Sequence, residues 1–486
     1  MSATLTTFGN LLKEYYQSPI IDSLNNRVWA RDYFAKRTQG WSGNQMIIPV
    51  HVGRNSGVGF KGETDTLPDA GNQSYVKLAV TNKNMYGTFK VTGEAMDTAT
   101  GDGPGAFAGI MREEMDRLVQ DVANGENLAT TFGGPVRGFI NEKKTLPDKV
   151  GGAAQNTGDQ TTFGAATAFE YQGDFGYFDG TFGVNGVVLA DATPSTWVRV
   201  KLIDLDTYQE LVGSGTNVNV FVTSFTNSLT APSVTLRLGT NEGGAAQDIS
   251  VTAADFKAIG LMIHDTQAVD SNGDAIGQNP ASFRQSLASQ PIGIFGNLAD
   301  PTHFGVDRSN TASVASGQRE LKSFLVNHSL QSNGKIDNPD ADLSLERLQS
   351  VFDSLLHTAG VDPDVLVMSA LMRHRYTVLL TGILGSSNNI NLSGESGSVM
   401  SQKDNLAYGG VKFQYDRHFP VKSIGLLTTE PWLLCEISSG QFADADGNVL
   451  SRISGSDQYE GYWKHRYNMV CRNPKAQAMI VGINPV

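Results

Sequence analysis

The side chains able to do chemistry in this 486-residue chain are plentiful, but they do not gather into a motif. Its eight histidines are scattered. No HExxH places two of them on one helix face for a zinc ion, and no Cys/His pairs stand at metal-ligand spacing. No GxSxG turn presents a serine nucleophile, and no GxxxxGK[ST] loop cradles a phosphate. Gly57, Gly59 and Gly62 satisfy GxGxxG by spacing. A dinucleotide loop needs a helix directly after its glycines, and Glu63, Asp65 and Pro68 follow instead. Asp270, Asn272 and Asp274 begin like a calcium loop, as do Asp444, Asp446 and Asn448. Such a loop takes Gly sixth and Glu twelfth. Ala275 and Val449 hold the sixth positions and Ala281 the twelfth of the first, so both stretches read as turns. Cys471 follows His465 in one expected strand, with no third partner. The sequence predicts no catalytic residue, no cofactor site and no metal ligand. It reads as a structural protein, not an enzyme.

Composition narrows the class further. Hydrophobic residues make up 40% and charged residues 18%, with 53 glycines and a net charge of −12. That acidic balance argues against a dedicated nucleic-acid binder, which carries basic patches. Cys435 and Cys471 exclude a disulfide scaffold and read as small buried hydrophobes in strands. No apolar run approaches the ~20 residues of a membrane helix. The start, MSATLTTFGNLLKEYY, lacks a charged-then-apolar leader. The expectation is a soluble, cytoplasm-like protein of roughly two to four folding units.

The elements are clearer than the chemistry. Phe107, Met111, Met115, Leu118 and Val122 recur at spacings of three and four, which predicts one long amphipathic helix from Gly103 to about residue 130. Asp102 or Gly103 would cap it, and Gly133-Gly134-Pro135 would stop it. At ~1.5 Å per residue it spans about 36 Å. Upstream, Arg27, Arg31, Lys36 and Arg37 make the first 45 residues locally basic. MIIPVHVGR (46–54) reads as one strand and YVKLAVTNKNMYGTFKVT (75–92) as one or two more. Between them lies a polar, Gly-rich tip, and a two-stranded arm of that kind is marginal unless it packs on something else. From Phe175 to about Leu261, short alternating runs such as TWVRVKLI, VNVFVTSF and SVTLRL predict a small antiparallel barrel or sandwich. From Asp342 the texture is α/β: a helix over 344–358 capped by Asp342 or Ser344 and stopped by Gly360, a strand over 364–369, and a helix over 370–380. Residues 385–410 read as a Gly/Ser/Asn loop, and the end is strand-rich.

This order of elements resembles the major capsid proteins of tailed bacteriophages, whose fold encapsulin shells share. LERLQSVFDSLLHTAGVDPDVLVMSALMRHRY (345–376) is similar to the family's axial domain. EGYWKHRYNMVCRNPKAQAMIVGI (460–483) is similar to its closing peripheral strands, and IGIFGNLADPTHFGVDRS (292–309) to the segment that re-enters the fold after an inserted domain. The long helix resembles the family's spine helix, ending in a turn at Glu126-Asn127. The resemblance implies an α+β fold: N-terminal arm 1–45, extended hairpin loop 46–93, peripheral domain 94–170, β-rich insertion 171–291, return segment 292–341, axial domain 342–425 and closing strands 426–486. It implies a shell subunit in pentamers and hexamers enclosing double-stranded DNA without sequence-specific binding. Scaffolding protein, portal and a decoration protein would be its partners; no membrane and no cofactor enter. The place would be the virion, after assembly in the host bacterial cytoplasm. Intersubunit contacts are expected from Arg54, Phe60, Lys61 and Glu63 on the hairpin and from Trp29 and Arg31 on the arm. Some members cross-link a lysine to a neighbour's asparagine, and Lys61 lies at the hairpin tip. The alternatives are an encapsulin-like compartment and an α/β enzyme with an accessory β domain.

Overall fold

The computed structural model describes residues 29–34, 38–94, 110–141, 162–163, 168–173, 197–205, 208–210, 218–226, 233–239, 249–250, 259–269, 290–308, 321–327, 343–384, 406–443 and 451–483. These fall into two compact units. One draws on Met85–Glu126 and Ser438–Arg466, the other on Val28–Asn84, Asn127–Ile437 and Tyr467–Val486.

In the first unit, the strand Lys83–Thr92 pairs with the long strand Gln458–Cys471. Its side chains alternate, so Met85, Phe89 and Val91 are buried and their neighbours face outward. Met85, Val122 and Trp463 form a small core, with Leu118 and Phe442 packed against it. Gly87 permits this approach: a Cβ there would lie 2.8 Å from Val122 Cγ2 and 3.1 Å from Leu118 Cδ1. Leu118 and Val122 of the predicted stripe therefore face this core, Met115 is only half-buried, and Phe107 lies outside the described residues.

The helix runs Ile110–Phe132, and its expected start at 103 lies outside the described residues. It does not end in a turn at Glu126-Asn127. Both residues are helical and buried, because Leu128 and Phe132 carry its apolar face one turn further into the core. Glu126 is kept by His465, whose Nδ1 lies 2.5 Å from its Oε1. The stop is where the glycines predicted it, with Gly133 N donating to Ala129 O at 2.7 Å and Gly134 at φ 110°.

The second unit is built on a six-stranded sheet. Its order is Phe324–Asn327, Ala478–Val481, Ile424–Leu427, Val365–Met368, Val411–Tyr415, Ala407–Tyr408. Val365–Met368 is buried throughout because both faces are covered. Leu366 and Met368 meet the helices Leu345–Ala359 and Ala370–Leu384 through Leu348, Phe352, Leu355, Met372 and Tyr376. Val365 and Val367 point into a second cluster with Phe132, Phe139, Phe295 and Trp432. The first of those helices is capped as the sequence required. Ser344 Oγ accepts from Arg347 N at 3.2 Å, and Gly360 takes the left-handed conformation (φ 71°) at the other end.

The β-rich segment closes into a six-stranded antiparallel barrel in the order Ser233–Gly239, Ala168–Gly173, Val136–Asn141, Ile259–Val269, Trp197–Asp204, Val218–Thr226. Closure removes the open edges that short strands otherwise leave. Of these strands, Val136–Asn141 lies upstream of the expected insertion boundary at 171 and Ala168–Gly173 straddles it. The barrel thus starts directly after the long helix, and the chain from 175 onward lacks two of its six staves.

The extended hairpin is shorter than 46–93. Gln45–Gly53 pairs with Ser74–Thr81, but Lys83–Thr92 leaves the ribbon to join Gln458–Cys471. The turn-like stretches at 270–274 and 444–448 and the loop 385–405 lie outside the described residues.

Candidate assembly surface

The hairpin has a packed base and a bare tip. Along Gln45–Gly53 and Ser74–Thr81 the even-numbered residues turn inward: Ile48, Leu78 and Val80 are buried with Phe304, Val306, Leu321, Cys435 and Val470. Two polar contacts hold this base. Ala79 N donates to Phe304 O at 3.0 Å, and Asn468 Nδ2 donates to Thr81 O at 2.8 Å. The packing partner that a two-stranded arm requires is therefore, along its inner face, the subunit's own core.

Residues 54–73 contain neither strand nor helix. The limbs of this tip come together at Gly57 and Gly71. A Cβ on Gly57 would lie 2.6 Å from Asp69 O, and one on Gly71 would lie 2.8 Å from Gly57 N. Gly57 N donates to Asn55 Oδ1 and Gly62 N to Asp65 Oδ2, so every hydrogen bond described for residues 55–71 stays inside the loop. Phe60 is fully exposed, and Val58 and Leu67 are 85% and 80% exposed. Arg54, Lys61 and Glu63 of the same loop are also in solvent. Three large apolar side chains thus stand exposed on a loop whose described hydrogen bonds are all its own.

The arm candidates sit differently. Trp29 and Arg31 belong to a short helix, Trp29–Phe34. Trp29 stacks on Tyr33 with centroids 4.7 Å apart, and Phe34 packs on Trp432 at 5.1 Å. Trp29 thus rests against the subunit's own core, and Arg31 pairs on the surface with Asp32 at 3.2 Å. What fastens this helix is a buried polar node that sequence reading missed. Asp416 Oδ2 accepts from Ala30 N at 3.1 Å and from Asn127 Nδ2 at 3.0 Å. Asn127 Oδ1 accepts from Arg31 N, and Asp416 Oδ1 from His418 N. Burial pushes the Asp416 carboxyl up, against the pull of these donors. No local signal marks the node, since Asn127 and Asp416 are 289 residues apart.

Among the described residues no group of three or more His, Cys, Asp or Glu side chains is placed to hold a metal, and no helix is long and apolar enough to cross a membrane. Gly57, Gly59 and Gly62 lie in the tip with no helix after them. Burial lifts the thiols of Cys435 and Cys471 to about 11 and about 12, so both are inert core residues.

Compared with solved structures, the chain is similar to a protein of the cyanophage A-1(L) capsid asymmetric unit: TM-score 0.51, 9% identity, covering 99% of this chain and 100% of that one. The chain has the fold of a phage capsid subunit. Lower scores are found with the capsid of a native GTA particle (TM-score 0.46, 8% identity, 99% of each chain) and with an encapsulin complex from Synechococcus elongatus (TM-score 0.41, 6% identity, 100% of this chain and 98% of that one). No family model and no curated protein matches the sequence. Arg54, Phe60, Lys61 and Glu63 lie on the same exposed loop, whereas Trp29 and Arg31 belong to a separate helix anchored by Asp416.

Proposed function

We propose that this chain is the structural subunit of an icosahedral viral shell, assembling as pentamers and hexamers that enclose double-stranded DNA, and that it acts by assembly and not by catalysis. The observation that carries the reading is the hairpin: a base locked into the subunit core and a tip whose Val58, Phe60 and Leu67 are left exposed among the described residues. Ordering a loop costs ~1–2 kcal/mol per residue, and apolar contacts with a neighbouring copy would offset it. The capsid fold supplies the geometry in which neighbours tile, and the acidic balance suits a container, because a strongly basic wall would hold DNA by its phosphates. Scaffolding, portal and decoration proteins are the partners such a shell would engage, inside the host cytoplasm where it forms.

The test is to shorten the tip by joining Arg54 to Asn72 through Gly-Gly. Circular dichroism and the melting point of the isolated subunit should not change, and the yield of closed particles in sedimentation and electron microscopy should fall steeply. Normal particle yield from the shortened chain would overturn the role given to the tip. Nuclease-protected DNA in particles from infected cells separates a viral shell from a protein-filled compartment.

A further inference from the structure

The barrel and the sheet core look like separate modules in the sequence, yet a buried polar cluster joins them. Tyr208 follows the barrel strand Trp197–Asp204 and is 1% exposed. Its hydroxyl donates to Leu298 O at 2.7 Å and accepts from Ser323 N at 3.2 Å. Leu298 belongs to the wholly buried helix Ile294–Ala299, where the chain returns from the barrel. Arg308 is 0% exposed and has no carboxylate among its hydrogen-bond partners. Its guanidinium donates to Asn297 O at 2.5 Å and Leu298 O at 3.1 Å, which are last-turn carbonyls of that helix, and lies 5.3 Å from the Tyr208 ring. A buried cation is tolerated there because the C-terminal end of a helix carries partial negative charge and unpaired carbonyls.

Four further observations tighten this cluster. Tyr208 has φ 60°, a left-handed backbone that aromatic residues rarely adopt, held in place by what the side chain reaches. Phe139 of the barrel stacks on Phe295 at 5.5 Å, and Phe295 on Phe132 at 4.9 Å. Gly293 and Gly133 leave no room for a side chain between the return helix and the end of the long helix: a Cβ on Gly293 would lie 2.4 Å from Ala129 O. Phe139 of the barrel and Leu205, directly after the barrel strand Trp197–Asp204, belong to the same buried cluster as Val367, Met479 and Trp432.

We infer that Tyr208 and Arg308 form a knot that makes the barrel and the sheet core one cooperative folding unit, so that the subunit cannot finish its core before the barrel closes. The inference does not depend on the shell function. It predicts that a fragment beginning at 175 does not fold as a barrel, and that an excised barrel leaves the return helix without its C-terminal partners.

Hydrogen exchange followed by mass spectrometry on the full chain in rising urea tests it. In the wild type, barrel peptides covering 218–226 and 233–239 should lose protection at the same urea concentration as core peptides covering 424–427 and 478–481. Tyr208→Phe keeps the ring and removes its hydrogen bonds; it should move the barrel peptides to a midpoint roughly 0.5 M below the core peptides, as loss of one or two buried hydrogen bonds gives at ordinary m-values. Arg308→Met should separate them further. Glu210→Ala, which removes only the exposed Lys201–Glu210 pair, should leave all midpoints unchanged. Wild-type barrel and core opening at different midpoints overturns the inference. So does a common fall with no separation in Tyr208→Phe, which would place the coupling in the Phe139–Phe295–Phe132 stack instead.

Discussion

Asp300 and His303 sit three residues apart in the buried return segment and respond to pH in opposite senses. Burial raises the Asp300 carboxyl to about 6, against the backbone N–H of Thr302 and the charge of Arg308. Burial, helped by Arg308, holds the His303 imidazole well below 6.5, and its Nε2 donates to Cys471 O at 2.9 Å. The stability that Asp300 contributes is complete below its unfolded value of ~3.9 and is lost as pH rises through about 6. The stability from neutral His303 is present above ~6.5 and is lost as pH falls. Asp300→Asn removes only the first effect and keeps an acceptor for Thr302. Its unfolding free energy in urea should match the wild type near pH 4 and exceed it near pH 7.5, by up to about 3 kcal/mol. A gap that does not widen with pH would show that Asp300 is not the group responsible. At the other node, Asn127→Ala strips one acceptor from Arg31 N and donors from Asp416. Loss of about 2–3 kcal/mol in equilibrium unfolding is expected, against less than ~0.5 for Arg54→Ala on the tip.

Within the long helix, position matters more than hydrophobicity. Val122 is 5% exposed and touches Met85 and Trp463, whereas Met115 on the same stripe is half-buried. Val122→Asp places an unpaired charge in the core and should leave the subunit insoluble, at a cost of several kcal/mol. Met115→Asp should stay soluble and melt only a few degrees lower. Gly87→Val should resemble the first, because its branches would enter space held by Val122 and Leu118. Soluble expression and thermal melting of the three variants check the ranking. A Val122→Asp subunit that stays soluble and melts like the wild type would remove the helix stripe from the core.

For the whole molecule, the role proposed for the tip separates folding from assembly. Phe60 is fully exposed and contributes nothing to its own subunit's core, so Phe60→Asp should melt like the wild type. In a shell that position would be covered, and the buried charge should cut particle yield by about tenfold or more, roughly 1.4 kcal/mol per contact or above. Light scattering during assembly reads this directly. Unchanged yield would mean that Phe60 faces solvent in the particle as well.

Local pattern determined much of this protein without any coordinates. The stripe Leu118/Val122, the Ser344 and Gly360 caps, the VLVM strand and the Gly133-Gly134 stop are all set by contacts within a few residues, which spacing and turn chemistry encode. The order of these elements was enough to suggest the capsid fold. The polar tip was legible too, because nothing in 54–73 has the period of a strand or helix. Long-range pairing was not legible. Val136–Asn141 and Ala168–Gly173 become barrel staves only through partners as far off as Ile259–Val269, and Lys83–Thr92 leaves the hairpin for Gln458–Cys471. The turn expected at Glu126-Asn127 comes from the resemblance to the spine helix, not from the spacing, which carries the helix to about residue 130. Both residues stay helical because His465 and Asp416, more than 280 residues downstream, satisfy them when buried. Buried polar partners of this kind leave no periodic trace in a sequence, and only the tertiary structure decides which ones meet.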